Sequence, residues 1–140
     1  MVKKVLVTAR HMMNEDSSAL DMFRRAGLSV KLAPPDGQAF GPSELSRLCL
    51  GMDGAIIGDD VASAEFFQGL DRRFRVLIKW GVGTDAIDLS AAEARGIVVR
   101  NTPGVLGEEV ADLAVAFILA LAREVVRTHQ EVERGGWPSS

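Results

Sequence analysis

The sequence predicts an α/β domain built on a five-stranded parallel sheet, and three observations carry that expectation. Five short runs rich in aliphatic and β-branched residues recur at near-regular spacing, at 5–7, 28–32, 54–57, 76–80 and 97–100. Segments with helix start and stop signals separate them. Two of the runs, Ala55-Ile56-Ile57 and Val76-Leu77-Ile78, are apolar without alternation, as strands covered on both faces are. Strands and helices in strict alternation imply parallel strands joined by crossover helices. Leu28-Ser29-Val30-Lys31-Leu32 alternates apolar with polar and belongs at an edge. The natural order is 2-1-3-4-5, a flavodoxin-like arrangement.

The helices follow in order. Asn14 is placed to cap a first one, with Glu15 and Asp16 in its first turn, Arg24 and Arg25 in its last, and Gly27 at its stop. Acids at the start and bases at the end oppose the helix dipole. Leu20, Phe23 and Ala26 share one face of it. Ser43 is the expected cap of a second helix, which puts Leu45, Leu48 and Cys49 on one face and ends at Gly51. Ser63 starts a short third helix through Phe66, Phe67 and Leu70. Ser90 with Glu93 has the spacing of a capping box for a fourth, closed by Gly96. Beyond Asn101-Thr102-Pro103-Gly104 the pattern changes to one long helix over 107–133, apolar on every side across 113–122. Residues 1–104 therefore read as one domain and 105–140 as a linking helix and the start of a connection. A five-stranded domain covers only one face of such a helix. The opposite stripe, with Val115, Ile118 and Leu119, implies a homodimer through 107–133 or a further part of the protein.

Composition narrows the function classes. The chain has 140 residues, 16 basic and 19 acidic, for a formal charge of −3. That length suits one domain. Interleaved charges and 47% hydrophobic residues exclude a disordered chain. The acidic balance lacks the basic footprint of a nucleic-acid binder. One cysteine, Cys49, forms no internal disulfide, and on the core face of its helix it reads as a buried structural thiol. The longest apolar run falls far short of the ~20 residues that span a bilayer. A soluble cytoplasmic protein is expected.

The first chemical candidate is Gly81-Val82-Gly83-Thr84-Asp85-Ala86, which matches G-x-G-x-x-A directly after a strand. Three roles are open to it: a dinucleotide loop, a glycine-permitted turn, or a loop whose amides cradle a small anion. Against the first stand the late helix signals, at 88–90, and the missing acid at the end of the next strand, which closes Arg100-Asn101. Asp59 and Asp60 end a strand without companion acids in Thr8-Ala9-Arg10, so a solvated turn is expected rather than a Mg²⁺ site. Glu108 and Glu109 serve the helix dipole. Arg10 and Arg100, near strand ends where α/β ligands bind, read equally as anion contacts or surface ion pairs. His11 follows the first strand at the lip of that edge, and His129 sits on a solvated helix tail.

Several linked motifs then follow one another: Lys79-Trp80-Gly81-Val82-Gly83-Thr84-Asp85-Ala86-Ile87-Asp88, Ala91-Ala92, Arg95-Gly96-Ile97, Asn101-Thr102-Pro103-Gly104, Val110-Ala111-Asp112 and Leu119-Ala120-Leu121-Ala122-Arg123. This string resembles the NAD-dependent D-isomer-specific 2-hydroxyacid dehydrogenases, most of all their phosphoglycerate-dehydrogenase-like branch. The likeness is strong over 75–137 and rests on strand order before that. It implies that the segment is most of the substrate-binding domain. It further implies that amides of Val82 and Gly83, at the Gly81 turn, hold the substrate carboxylate. Lys79 and Asn101 would stand beside the substrate, and Leu106 and Val110 in the loop and helix facing the nicotinamide of NAD. The family's G-x-G-x-x-G loop and its catalytic arginine, glutamate and histidine have no counterpart in these 140 residues. The expectation is a truncated chain, inactive by itself, that contributes substrate binding to interconversion of a small 2-hydroxy acid and its 2-keto acid. The alternative is a stand-alone flavodoxin-like binding or regulatory module without catalysis.

Overall fold

A computed structural model describes residues 2–12 and 18–137, in two compact units, Met1–Pro103 and Gly104–Ser140. The first unit carries β1 (Lys3–Val7), α1 (Ser18–Arg25), β2 (Leu28–Leu32), α2 (Pro42–Leu48), β3 (Gly54–Ile57), α3 (Ala64–Gly69), β4 (Val76–Lys79), α4 (Leu89–Ala94) and β5 (Val98–Arg100), with a 3-10 turn at Arg10–Met12. The five strands form one all-parallel sheet in the order β2-β1-β3-β4-β5, as the sequence predicts. β2 is an edge and only partly covered, whereas every residue of β3 is buried. This is the outcome that alternating and continuous apolar runs foretell.

The larger core lies on one face of the sheet. There Leu6, Ala55, Ile57 and Leu77 meet Leu45 and Cys49 of the α2 segment, Phe66 and Phe67 of α3, and Ala92 of α4. The Phe66 and Phe67 rings pack edge to face at 4.9 Å between centroids, a favoured aromatic geometry. A smaller cluster on the other face joins Val7, Ala9, Met12 and Ile56, with Phe23 of α1 against it. Leu20 is the buried anchor of α1, while Ala26 is exposed, so the expected apolar face stops at Phe23. Gly54 is required by the sheet itself. A Cβ there would stand 2.4 Å from Val76 Cγ1 and 2.8 Å from the Val76 carbonyl oxygen.

Two caps differ from expectation. α2 begins before the expected cap, with Gly41 as N-cap and Pro42 at the first position, so Ser43 lies inside the helix. Proline suits that place because its missing N–H would have been unpaired anyway. α4 is capped by Asp88, whose carboxylate accepts from Ala91 N at 2.9 Å, and not by Ser90 with Glu93. The upstream aspartate wins because its charged acceptor also complements the helix dipole. Ser63 is the N-cap of α3, although its hydroxyl makes no capping bond. The cap expected at Asn14, with Glu15 and Asp16, and the side chain of His11 lie outside the described residues.

The second unit consists of α5 (Gly107–Ala122) and α6 (Val125–Glu133), and here the expectation of one unbroken helix over 107–133 fails. Arg123 closes α5, its amide donating to the Leu119 carbonyl and that of Glu124 to the Leu121 carbonyl, and Glu124 turns left-handed at φ 50°. Glutamate has no conformational ease in that region. The turn is held by Arg127, which pairs with both Glu124 and Glu131. The break falls where the all-apolar run of α5 gives way to the amphipathic, polar α6. No residue of either helix is buried, and the apolar side chains of Ile118 and Leu119 are 64% and 58% exposed. No helix among the described residues is long and apolar enough to cross a membrane.

Candidate functional site

Parallel strands deliver their following loops to one edge of the sheet, and ligands of open α/β sheets bind at that carboxyl edge. The first unit puts Thr8, Gly58-Asp59-Asp60, Lys79–Gly83 and Asn101-Thr102 there, after β1, β3, β4 and β5 respectively. The β4 loop is pinned on both sides. Trp80 N donates to the Ile57 carbonyl at 2.8 Å and so extends the ladder by one residue. Gly81 then takes φ 138°, a value that favours glycine. Gly81 and Thr102 exchange two hydrogen bonds. Gly81 N donates to Thr102 Oγ1 and Thr102 N donates to the Gly81 carbonyl, each at 3.0 Å. Asn101 Nδ2 donates to the Val82 carbonyl at 2.7 Å.

With both carbonyls of Gly81 and Val82 tied down, the peptide planes are fixed. The amides of Val82 and Gly83 take no acceptor among the described residues, and Gly83 is exposed, as is the Val82 side chain. Adjacent unpaired N–H groups on a loop can serve a small anion. Beyond them the chain turns through Thr84, whose carbonyl accepts from Ile87 N, and re-joins the β3 loop by the Ala62–Ile87 bridge. The helix starts only at Leu89, and its first turn is already served by the Asp88 carboxylate. A pyrophosphate placed on that helix start would meet a negative charge. The dinucleotide role for residues 81–86 therefore does not fit.

Lys79 already has partners within the chain. Its ammonium donates to the Gly58 carbonyl at 2.6 Å and to Asp59 Oδ1 at 2.9 Å. Its side chain is 11% exposed, against 69% for that of Asp59. A Cβ on Gly81 would lie 3.7 Å from Lys79 Nζ, so the cation sits directly behind the loop and already has an anionic partner. Arg100 shares the carboxyl edge but not the face. It pairs in register with Ile78, next to Lys79 on β4, so pleating sends it to the opposite side of the sheet. There its Nη1 donates to the Val99 carbonyl. Among the described residues the Arg10 guanidinium donates to the Pro35 and Gly37 carbonyls and to no carboxylate. Leu106 is the N-cap residue of α5 and Val110 lies in its first turn, both with exposed apolar side chains.

The expected solvated turn at Asp59 and Asp60 is half wrong. Asp60 is only 2% exposed, and its carboxylate accepts from the Thr8 hydroxyl at 2.5 Å, Phe40 N at 2.7 Å and Gly58 N at 3.1 Å. A buried carboxylate persists only when its lone pairs are satisfied this way. Asp60 thus ties the ends of β1 and β3 to the loop before α2, and Gly58 passes the restraint on to Lys79. Sequence reasoning also missed Thr102. Its signal was the β-branched hydroxyl beside Asn101 at a strand end, and only the pairing of β4 with β5 gives that hydroxyl an amide to accept. At the amino edge Asp53 accepts from Lys4 N at 2.8 Å and pairs with Arg73 at 3.0 Å and Lys3 at 3.1 Å. The Arg73 hydrogen bond, then that of the Lys4 amide, hold its carboxyl well below the usual carboxylate range. Cys49 is fully buried, and burial pushes its thiol up to about 12, with Asp60 and Asp71 adding to the rise. Among the described residues no group of His, Cys, Asp and Glu could hold a metal ion.

Comparison with known proteins finds relatives of one family. The chain is 44% identical over 78 residues to a glyoxylate reductase of Korarchaeum cryptofilum, covering 56% of this chain and 23% of that protein. It is 32% identical over 120 residues to a D-3-phosphoglycerate dehydrogenase of Archaeoglobus fulgidus, covering 85% and 22%. Among solved structures, the TT0316 protein of Thermus thermophilus superposes with a TM-score of 0.80 at 36% identity, over 98% of this chain and 42% of that one. The matched segments thus span about a quarter of the curated relatives and under half of the solved chain. A family model described as D-isomer specific 2-hydroxyacid dehydrogenase, catalytic domain, matches residues 7–136, and the chain belongs to that family.

Proposed function

We propose that these 140 residues are the substrate-binding part of an NAD-dependent oxidoreductase that interconverts a D-2-hydroxy acid and its 2-keto acid. The observation that carries this is the pair of unpaired amides, Val82 and Gly83, on a loop braced by Asn101 and Thr102. A carboxylate accepting both N–H groups has its 2-carbon held at a fixed distance from the loop, and orientation of that kind is a large part of catalysis by proximity. Gly81 makes the turn possible, Asn101 fixes the Val82 peptide, and Lys79 lends positive potential from behind. Leu106 and Val110 offer the apolar surface against which a nicotinamide ring would lie. The nicotinamide supplies or accepts the hydride when bound. The phosphates of that cofactor need donors other than residues 81–86, so the chain by itself should neither bind NADH at micromolar levels nor reduce a keto acid.

Titration of the isotope-labelled chain with glyoxylate, followed by amide NMR, tests the proposal. The Val82 and Gly83 resonances should move first and furthest. Displacements spread over the surface, with none at 82 and 83, would leave a non-catalytic binding module as the better description. Stoichiometric NADH binding by calorimetry would restore 81–86 as a nucleotide loop. We further propose a cytoplasmic homodimer through α5, since Ile118 and Leu119 leave a stripe of apolar surface worth ~25 cal/mol per Å² when buried. Light scattering should give twice the monomer mass, reverting to one on replacing Ile118 and Leu119 by glutamate. A monomer at high concentration would refute the pairing.

A further inference from the structure

Charge is distributed unevenly around the anion loop. Lys79 is the cation behind it, and two of its three N–H donors are committed, to the Gly58 carbonyl and to Asp59. Asp85 adds a second carboxylate, its Oδ2 standing 3.2 Å from where a Cβ on Gly83 would be. Arg100 lies on the other face of the sheet and Arg10 is spent on two backbone carbonyls. Among the described residues, the exposed carboxylates of Asp59 and Asp85 thus stand around the single cation at the loop, Lys79. A single substrate carboxylate is served by amides and asks for no free cation. A second anionic group on the substrate finds its nearby cation, Lys79, already neutralised by Asp59, and meets Asp85 as well.

We propose that Asp59 is a specificity-determining residue: by holding the Lys79 ammonium it masks the cation, and so restricts the site to 2-keto and 2-hydroxy acids with an uncharged tail. This rests on the Val82–Gly83 carboxylate site proposed above and adds to it the class of substrate. The design is discrimination by a built-in repulsive element as much as by attraction. Asp59 is well placed for such a role because it is largely exposed, so its contribution to folding is that of a surface ion pair, which is small.

Two keto acids of equal length separate the possibilities: 2-oxopentanoate, a monoanion, and 2-oxoglutarate, a dianion. Each is titrated into the 140-residue chain with the Val82 and Gly83 amides as readout. The wild type should bind the monoanion at least as well as the dianion. In Asp59→Asn the ratio of dianion to monoanion affinity should rise tenfold or more, and the double variant Asp59→Asn, Lys79→Met should lose that gain. If 2-oxopentanoate moves the two amides but the ratio stays within twofold in Asp59→Asn, the masking role is overturned and the carboxylate site stands. If neither acid moves them, both proposals fall. A ratio that rises equally in the double variant would also overturn the role assigned to Lys79.

Discussion

Replacing Asp60 by asparagine keeps the shape of the side chain and changes only its hydrogen-bonding. In the wild type one oxygen accepts from Phe40 N at 2.7 Å, and the other accepts from the Thr8 hydroxyl at 2.5 Å and Gly58 N at 3.1 Å. Asparagine offers one acceptor oxygen and one NH₂ group. With the nitrogen toward Thr8, it faces the Gly58 N–H; with the nitrogen the other way, it faces the Phe40 N–H. Either orientation leaves one amide facing a donor at a site that is 2% exposed. Losing a hydrogen bond to a charged group costs ~1.5–3 kcal/mol, and an orphaned buried donor ~1–3 kcal/mol. The two overlap, so about 3 kcal/mol is expected, a large share of the ~5–15 kcal/mol that holds a domain together. Urea unfolding followed by circular dichroism should show a lower midpoint with an unchanged slope, and the melting temperature should fall by about 10 °C or more. Thr8→Val, which removes one donor and leaves the carboxylate, should cost less. A loss below about 0.5 kcal/mol in Asp60→Asn would place Asp60 with ordinary surface substitutions and refute its role as a node.

Further outcomes follow from the same structure. Gly54→Ala drives a Cβ into the Val76 side chain and carbonyl, and should cost at least ~2 kcal/mol by urea unfolding; Val76→Ala should rescue only part of it, because the carbonyl contact remains. Asp53 has its carboxyl pKa depressed in the folded state, so it contributes stability above its unfolded value of about 4 that is lost as pH falls through the lower folded value. Acid unfolding of Asp53→Asn should accordingly show a shallower fall below about pH 4, and an unchanged acid limb would disprove the assignment. The Cys49 thiol, raised to about 12, should resist a disulfide reagent at about pH 8 until urea unfolds the chain; prompt native-state labelling would show that the site opens.

The alternation of apolar runs with capped, amphipathic segments was enough to determine the sheet, its order and its edges. Each strand declares its burial by whether it alternates, and crossover helices admit few topologies. The glycine loop was legible for a related reason: Gly81 and Gly83 directly after a central strand put backbone N–H groups at the carboxyl edge whatever the side chains do. Caps were less legible, because Ser43 and Ser90 compete with Gly41-Pro42 and Asp88 close by in sequence, and the outcome depends on where the preceding loop delivers the chain. The break at Glu124 was not legible, since no glycine or proline marks it. Arg127 pairs there with both Glu124 and Glu131.

What only the tertiary structure decided is which polar groups meet. Asp59 and Asp60 are adjacent in sequence, yet one is solvated against Lys79 and the other is buried under three donors from β1, β3 and the loop before α2. Lys79 is tied to the β3 loop because β3 and β4 pair with Ile57 opposite Lys79, a contact that no local sequence signal announces. Local conformation follows from short-range sterics and periodicity, whereas the partner of a charge is set by strand register across 20 or 52 residues of chain. The class of fold and the position of the glycine loop came from the first kind of information, and the charges around that loop from the second.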